Sequence, residues 1–190
     1  ACLALTGARL KAADCVYAGV ADSYVAADAQ EALIAALAAA GPMDFARAGA
    51  ILAEHAPDPG DAPLAAVRAE IDRYFALGSV EEIVAALQAD GGEWATKQAG
   101  IILSKSPTSS KVALRQVRNG ASRDFRACMQ MEWRMVNRII EGHDFYEGTR
   151  ATVIDKDQTP AWQPGELSDV TEQAVDAYFA PLPGGDLAFD

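Results

Sequence analysis

Hydrophobic residues recur every three or four positions along most of the chain, which is the spacing of amphipathic helices. This spacing runs from Pro63 to Gly78, and a longer run extends from about Arg123 to Glu141. In the longer run we expect one apolar stripe to be buried, made of Phe125, Cys128, Met129, Met135, Val136, Ile139 and Ile140. The pattern therefore predicts a mostly helical chain.

Polar residues mark where these helices begin. Capping boxes, in which a polar N-cap is followed three residues later by Glu or Gln, are predicted at Asp28 and Ser79. Asp44, Ser106 and Ser168 are predicted to cap three further helices, and Pro107 occupies the first helical position after Ser106.

Two segments are candidates for extended structure. Residues 20–25 read as a short strand, whereas 151–154 fit either an extended piece or a helix end. Alanine is abundant and loses no side-chain entropy in a helix, while Val, Ile and Thr are scattered. We expect a mostly α fold with at most one or two short strands.

The charge is distributed unevenly. A net charge of −11 on 190 residues argues against nucleic-acid or anionic-membrane partners. Residues 97–138 nevertheless carry nine basic and two acidic side chains, a net +7 that leaves −18 elsewhere. Two interpretations stay open for this stretch, namely solvated helix faces or a patch that attracts an anionic ligand or an acidic partner surface.

Few residues suggest chemistry on their own. The three cysteines form no metal or disulfide pattern, and only two histidines are present, so no metal site is expected. His143 and Asp144 could form a catalytic pair. The competing interpretation is structural: Asp144 caps a short helix, and His143 holds the turn that follows the longest helix.

Four segments carry a resemblance to a known family. Residues 143–151 read His-Asp-Phe-Tyr-Glu-Gly-Thr-Arg-Ala and 153–157 read Val-Ile-Asp-Lys-Asp, which resembles the C-terminal signature of the enoyl-CoA hydratase/isomerase (crotonase) superfamily. Residues 3–21 resemble the helix-turn-helix that follows the catalytic core in that superfamily. Ser-Pro-Thr-Ser at 106–109 and the segment 155–162 are similar to its 3-hydroxyisobutyryl-CoA hydrolase branch.

The resemblance implies the C-terminal helical part of a crotonase-like α/β fold. Residues 1–41 would follow an N-terminal core that is absent before Ala1, and 42–190 would form a helical C-terminal region with the signature at 142–157. In the family, the catalytic glutamate and aspartate belong to that core. We therefore assign no catalytic residue and expect this chain alone to be inactive.

The resemblance also implies a substrate pocket. The family segment that matches 144–148 helps to close the acyl-CoA pocket, and an aromatic residue near the end of the signature touches the adenine side. This makes Phe145, Trp162 and Lys156 candidates, with Gln163 standing where the family has lysine. Leu5 and Thr6 fall where the family lines the acyl end. Core packing is an equal alternative for Phe145, Trp162, Leu5 and Thr6.

The implied activity is hydrolysis of 3-hydroxyisobutyryl-CoA to coenzyme A and 3-hydroxyisobutyrate in valine breakdown. No cofactor is expected, because coenzyme A is part of the substrate. The expected partners are the missing core and the acyl-CoA, with homo-oligomerisation left open. The alternatives are an enoyl-CoA hydratase or a non-catalytic helical interaction subunit. The expected location is the cytoplasm of a bacterium, or the mitochondrion of a eukaryote.

Overall fold

A computed structural model of the chain describes residues 1–189. These residues form eleven α-helices and contain no β-strand, which confirms the mostly α prediction. The helices are α1 (Cys2–Thr6), α2 (Ala12–Tyr17), α3 (Gln30–Ala39), α4 (Phe45–His55), α5 (Arg68–Tyr74), α6 (Val80–Asp90), α7 (Glu93–Leu103), α8 (Pro107–Gly120), α9 (Phe125–Ile139), α10 (His143–Thr149) and α11 (Glu172–Phe179). Short 3-10 turns occur at Ala27–Ala29, Pro63–Val67 and Leu167–Asp169.

The strand predicted at 20–25 is wrong. The amides of Val20 and Ala21 both donate to the Cys15 carbonyl, at 2.9 and 3.2 Å, so the segment starts as a turn against the end of α2. A strand also needs a neighbour to pair with, and residues 1–189 provide none. For 151–154 the helix-end alternative is right, because Arg150–Ile154 is a π-helical turn that continues α10.

Most predicted caps form. Ser79 makes the full capping box of α6, while Asp44 and Ser106 accept from the amides three residues ahead of them. The Asp28 box is wrong, because Asp28 lies inside the 3-10 turn that leads into α3 and makes no cap bond. Ser168 also lies in a 3-10 turn, and Thr171 caps α11 instead, accepting from the Ala174 amide at 3.1 Å.

The described chain divides into two compact units. The larger unit contains Ala1–Ala8 and the chain from Ile71 onward, and the smaller unit is Arg9–Glu70. In the smaller unit α3 packs on α4, and Asp14 of α2 accepts a 2.9 Å hydrogen bond from the Leu64 amide. The boundary predicted between residues 41 and 42 lies inside this smaller unit, and a division there stays a prediction.

The larger unit has two apolar clusters. The first lies among α1 and α5–α8 and contains Cys2, Leu5, Tyr74, Phe75, Val80, Ile83, Val84, Leu87, Ala95, Ala99, Ile102 and Leu114. The second lies where α8, α9 and α11 meet and contains Val112, Met131, Met135, Val170 and Val175. Because α8 contributes Leu114 to one cluster and Val112 to the other, it connects the two halves of this unit.

Helix α9 buries only part of the predicted stripe, namely Met135 and Ile139, and adds Met131. Met131 and Met135 are buried and Ile139 packs against them, but Phe125 is 75% exposed, and Val136 and Ile140 are also largely exposed. At about 100° per residue, Met131, Met135 and Ile139 span about 80° of the helix surface, and Phe125, Val136 and Ile140 lie about 40° to 100° beyond Ile139. The predicted stripe is therefore shifted relative to the face that α8 and α11 cover.

Candidate functional site

A cavity of about 320 Å³ opens in the larger unit beside α8, α9, α10 and α11. Its wall has an apolar part, made of Val112, Ala113, Met135, Ile139 and Phe145. The remaining lining is mostly polar and consists of Thr108, Ser109, Gln116, Gly142, His143, Asp144, Gln163 and Tyr178. The cavity thus combines an apolar wall from α8 and α9 with a polar end at the start of α10.

Asp144 is the centre of the polar end. Its side chain is 12% exposed, and its carboxylate accepts from the Ser106 hydroxyl at 2.5 Å, the Gln163 amide at 2.8 Å and the His143 Nδ1 at 3.2 Å. The interpretation of Asp144 as a helix cap is wrong, because α10 begins at the N-cap Gly142 without a side-chain cap bond. Asp144 instead joins the start of α8 to the segment that follows α10.

The geometry does not support a catalytic relay through His143. A serine nucleophile needs a base on its hydroxyl, but Ser106 donates to the Asp144 carboxylate and is only 4% exposed. Both Ser106 and His143 contact Asp144, so the imidazole does not stand between serine and carboxylate. The cluster is built to hold α8 and α10 together.

Tyr178 of α11 adds an uncommitted donor to the cavity. Its hydroxyl lies 3.9 Å from the position that a Cβ on Gly142 would take, and it makes no hydrogen bond to any of residues 1–189. Burial, and secondarily the negative charge of Asp144, raises the pKa of the Tyr178 phenol above its usual value. The phenol therefore stays protonated at neutral pH and can donate.

A second polar network folds the loop after α10. The Arg150 guanidinium makes a paired contact with Glu147, at 2.8 and 2.9 Å, and also reaches Asp155 at 2.7 Å and Asp157 at 2.6 Å. Glu147 also accepts from the Ala161 amide at 2.8 Å. The Arg150 hydrogen bonds, followed by the Ala161 amide, lower the pKa of Glu147 to about 2.

The same network acts on the residues around it. Arg150, and then the Thr159 amide, lowers the pKa of Asp157, while the carboxylates raise the pKa of Arg150 above its already high value. The charged signature 147–157 is thus internally paired. The loop that follows residue 154 is thereby held against α10.

Lys156 and Trp162 lie on this loop and do not line the cavity. Lys156 is exposed and has a left-handed backbone, with φ of 58°. Trp162 is half-buried, and its indole N–H donates to the Ser104 carbonyl at 3.0 Å. The ring edge would stand 3.1 Å from a Cβ at Gly148. Trp162 therefore packs between the end of α7 and α10.

Phe145 is the one residue of the predicted pocket set that lines the cavity. It is 47% exposed and meets Tyr146 edge-on, with ring centroids 5.3 Å apart. Leu5 lies in the first apolar cluster, and the Thr6 hydroxyl donates to the Cys2 carbonyl at 2.9 Å. The structure does not bring Leu5 and Thr6 to this cavity. Their role in an acyl-CoA pocket stays a prediction.

The sequence interpretation missed Tyr178, Thr108 and Gln116 as cavity residues. The residues around Tyr178 in the sequence are largely apolar and give no sign that its hydroxyl lies near the start of α10. Gln116 and Thr108 lie eight residues apart on α8, close to the spacing of two helical turns. That spacing was the one available signal.

The basic stretch is partly engaged within the chain and partly solvated, since Lys97, Lys105 and Arg123 are exposed. Lys111 pairs with Glu81 at 2.5 Å, Arg115 with Glu172 and Asp176, and Arg134 with Asp186, while Arg118 donates to the carbonyls of Leu77 and Gly78. These cations connect α8 and α9 to neighbouring segments of the same unit. They are already occupied by intramolecular partners.

Two features are absent from residues 1–189. No group of three or more His, Cys, Asp or Glu side chains is arranged to hold a metal ion. No helix within the same residues has both the length and the apolar character needed to cross a membrane.

Comparison with curated proteins identifies close relatives. The chain is 39% identical to the Mus musculus protein named 3-hydroxyisobutyryl-CoA hydrolase, mitochondrial, over 98% of this chain and 50% of that protein. It is 41% identical to the Danio rerio protein of the same name, over 97% of this chain and 50% of that protein. The chain thus spans about half the length of the curated relatives it matches.

Solved structures match the fold. A carnitinyl-CoA dehydratase from Mycobacterium thermoresistibile has a TM-score of 0.84 and 35% identity, covering 97% of this chain and 52% of that one. An enoyl-CoA hydratase from Rhodobacter sphaeroides has a TM-score of 0.83 and 33% identity, covering 99% of this chain and 53% of that one. The crotonase-like fold implied by the sequence resemblance is confirmed.

A protein-family model described as enoyl-CoA hydratase/isomerase matches residues 1–179. The match covers the helix-turn-helix, the signature and the network around Arg150. The chain belongs to the enoyl-CoA hydratase/isomerase family.

Proposed function

We propose that this chain forms the C-terminal helical portion of an acyl-CoA thioester hydrolase that acts on 3-hydroxyisobutyryl-CoA. The reaction releases coenzyme A and 3-hydroxyisobutyrate, a step of valine breakdown. The observation that carries the proposal is the 39% identity, over 98% of this chain, to a protein that bears the name of this hydrolase. The internally paired signature 147–157 adds support, because it is an ordered unit and not a loose tail.

The chain's part in the reaction is to complete the substrate site. Water attacks the thioester carbonyl and the thiolate of coenzyme A leaves, so the reaction needs no cofactor. We assign the carboxylates and the oxyanion-stabilising amides to the remainder of the protein. From this chain, Phe145, Leu5 and Thr6 would contact the acyl-CoA, with Trp162 at the adenine side and Lys156 near the phosphates.

Lys156 gives this assignment a direct test. It is an exposed cation, and Arg150 engages the acidic residues on both sides of it, Asp155 and Asp157. Lys156→Ala in the whole protein should raise KM for a CoA thioester while leaving kcat nearly unchanged. The matched control is Lys97→Ala, which removes another exposed lysine, on α7. An equal KM in both variants would remove Lys156 from the site.

An enoyl-CoA hydratase is the second candidate. It is favoured by the structural likeness to the Rhodobacter sphaeroides enoyl-CoA hydratase, at a TM-score of 0.83 and 33% identity. A hydratase adds water across a double bond and leaves the thioester intact. The two candidates therefore differ in whether free thiol is released.

We also propose a location for the protein. The curated relatives are named as mitochondrial, so a eukaryotic protein of this kind would act in the mitochondrion. A bacterial one would act in the cytoplasm.

The deciding experiment measures both reactions in one sample of the whole protein. Thiol release from 3-hydroxyisobutyryl-CoA is followed with a thiol-reactive chromophore, and hydration of crotonyl-CoA is followed by the loss of its ultraviolet absorbance. Thiol release without hydration is expected. Hydration without thiol release would replace the hydrolase with the hydratase, and neither reaction would favour a non-catalytic interaction subunit.

A further inference from the structure

We propose that the cavity beside α8, α9, α10 and α11 binds a small uncharged molecule with an apolar body and one carbonyl or amide oxygen. The oxygen accepts a hydrogen bond from the Tyr178 hydroxyl, and the apolar body lies against α8 and α9. The cavity shares Phe145 with the proposed acyl-CoA site, but the inference concerns binding and not turnover, so a binding titration tests it separately from the proposed activity.

The volume sets the size of the ligand. About 320 Å³ lies at the lower end of the range for small-molecule sites. A molecule with a short alkyl chain and one polar end therefore fits.

The apolar wall selects the body of the ligand. Val112 and Ala113 of α8 and Met135 and Ile139 of α9 line the cavity, and Val112, Met135 and Ile139 belong to the second apolar cluster. None of these four side chains can hydrogen-bond to a ligand, so a polar group placed here would lose its water without compensation. An alkyl chain is stabilised here by about 25 cal/mol for each Å² it removes from water.

The polar end selects an uncharged acceptor. Tyr178 stays protonated and has no partner among residues 1–189, so its hydroxyl is free to donate to a ligand. The nearby Asp144 carboxylate repels an anion. The same carboxylate is a poor partner for a cationic ligand, because three donors already bind it and its side chain is only 12% exposed. A neutral carbonyl oxygen can accept a hydrogen bond from Tyr178 without repulsion from Asp144 and without needing Asp144 as a partner.

The hydroxyl of Thr108 strengthens this preference. It belongs to the first turn of α8, lines the cavity and makes no hydrogen bond to any described residue. It can serve as a second donor within the cavity.

Hexanamide and hexanoate test the proposal as probes of equal chain length. The chain has four methionines, and Met135 is the one that lines the cavity, so methyl labelling with carbon-13 gives one reporter and three internal controls. Hexanamide should shift the Met135 methyl signal in a saturable manner and leave Met43 unchanged. Hexanoate at neutral pH should bind at least about tenfold more weakly.

Two variants assign the contact. Tyr178→Phe keeps the ring and removes the donor, and it should weaken hexanamide binding about fivefold. Tyr146→Phe is the matched control, since this α10 hydroxyl is exposed and does not line the cavity, and its affinity should equal that of the unmodified chain.

Three results would overturn the inference. They are an unshifted Met135 signal in the folded protein, hexanoate binding as tightly as hexanamide, and an unchanged affinity in Tyr178→Phe. Each is read from the same titration, and an unaltered Met131 signal confirms that a variant is folded.

Discussion

Replacing Asp144 with alanine removes an acceptor that three donors share. The Gln163 amide and the His143 ring are solvent-accessible, so water can replace Asp144 for both at small cost. Ser106 is only 4% exposed and loses its charged partner, which is worth about 1.5–3 kcal/mol. We expect Asp144→Ala to lower the free energy of unfolding by about 3 kcal/mol in total.

Urea unfolding at neutral pH measures this loss. Asp169→Ala is the control, because the Asp169 carboxylate is exposed and makes no hydrogen bond or ion pair to residues 1–189, and its effect should stay within about 0.5 kcal/mol. A double-mutant cycle with Ser106→Ala should give a coupling energy of at least about 1 kcal/mol. Additive single effects, or an Asp144→Ala variant as stable as the control, would refute the assignment.

Three further outcomes follow from contacts described above. Glu147 has a folded pKa of about 2 against an ordinary value of 4.5, so the stability it contributes is complete above about pH 4.5 and is lost as the pH falls towards 2. Glu147→Gln should flatten this acid dependence in circular-dichroism titrations, and an unchanged profile would contradict it. Ser79→Ala should cost about 1 kcal/mol in urea unfolding, whereas Asp28→Ala should cost almost nothing; equal effects would argue against the caps as assigned. Leu87→Ala should cost about 3 kcal/mol at a fully buried position, against less than about 1 kcal/mol for the half-exposed Leu103→Ala, as thermal unfolding can check.

Local signals predicted helices better than they predicted burial. Ser79, Asp44 and Ser106 cap their helices as expected because an N-cap bond joins residues three apart and needs no distant partner. The capping box predicted at Asp28 is wrong because Asp28 lies in the 3-10 turn that leads into α3. The predicted burial of Phe125 is wrong because which part of a helix is buried depends on the elements packed against it, and periodicity does not identify them.

In the candidate site, too, contacts between residues close in sequence could be predicted and contacts between distant residues could not. The signature 143–157 could be recognised from sequence, and the pairing of Glu147 with Arg150 lies within three residues. The contact of Asp144 with Ser106 spans 38 residues, and Tyr178 approaches Gly142 from a helix that begins 30 residues later. Neither contact produces a recognisable pattern in the local sequence, so the cavity could not be predicted.

The close approach of Trp162 to Gly148 limits how this family member can vary. A methyl group at 148 would meet the indole edge at 3.1 Å, so the indole, which is held by its hydrogen bond to Ser104, would have to shift by a few tenths of an ångström. The two positions are therefore coupled: alanine at 148 is accommodated more easily where 162 carries a smaller ring. Among natural variants, glycine at the first position and tryptophan at the second should be inherited together.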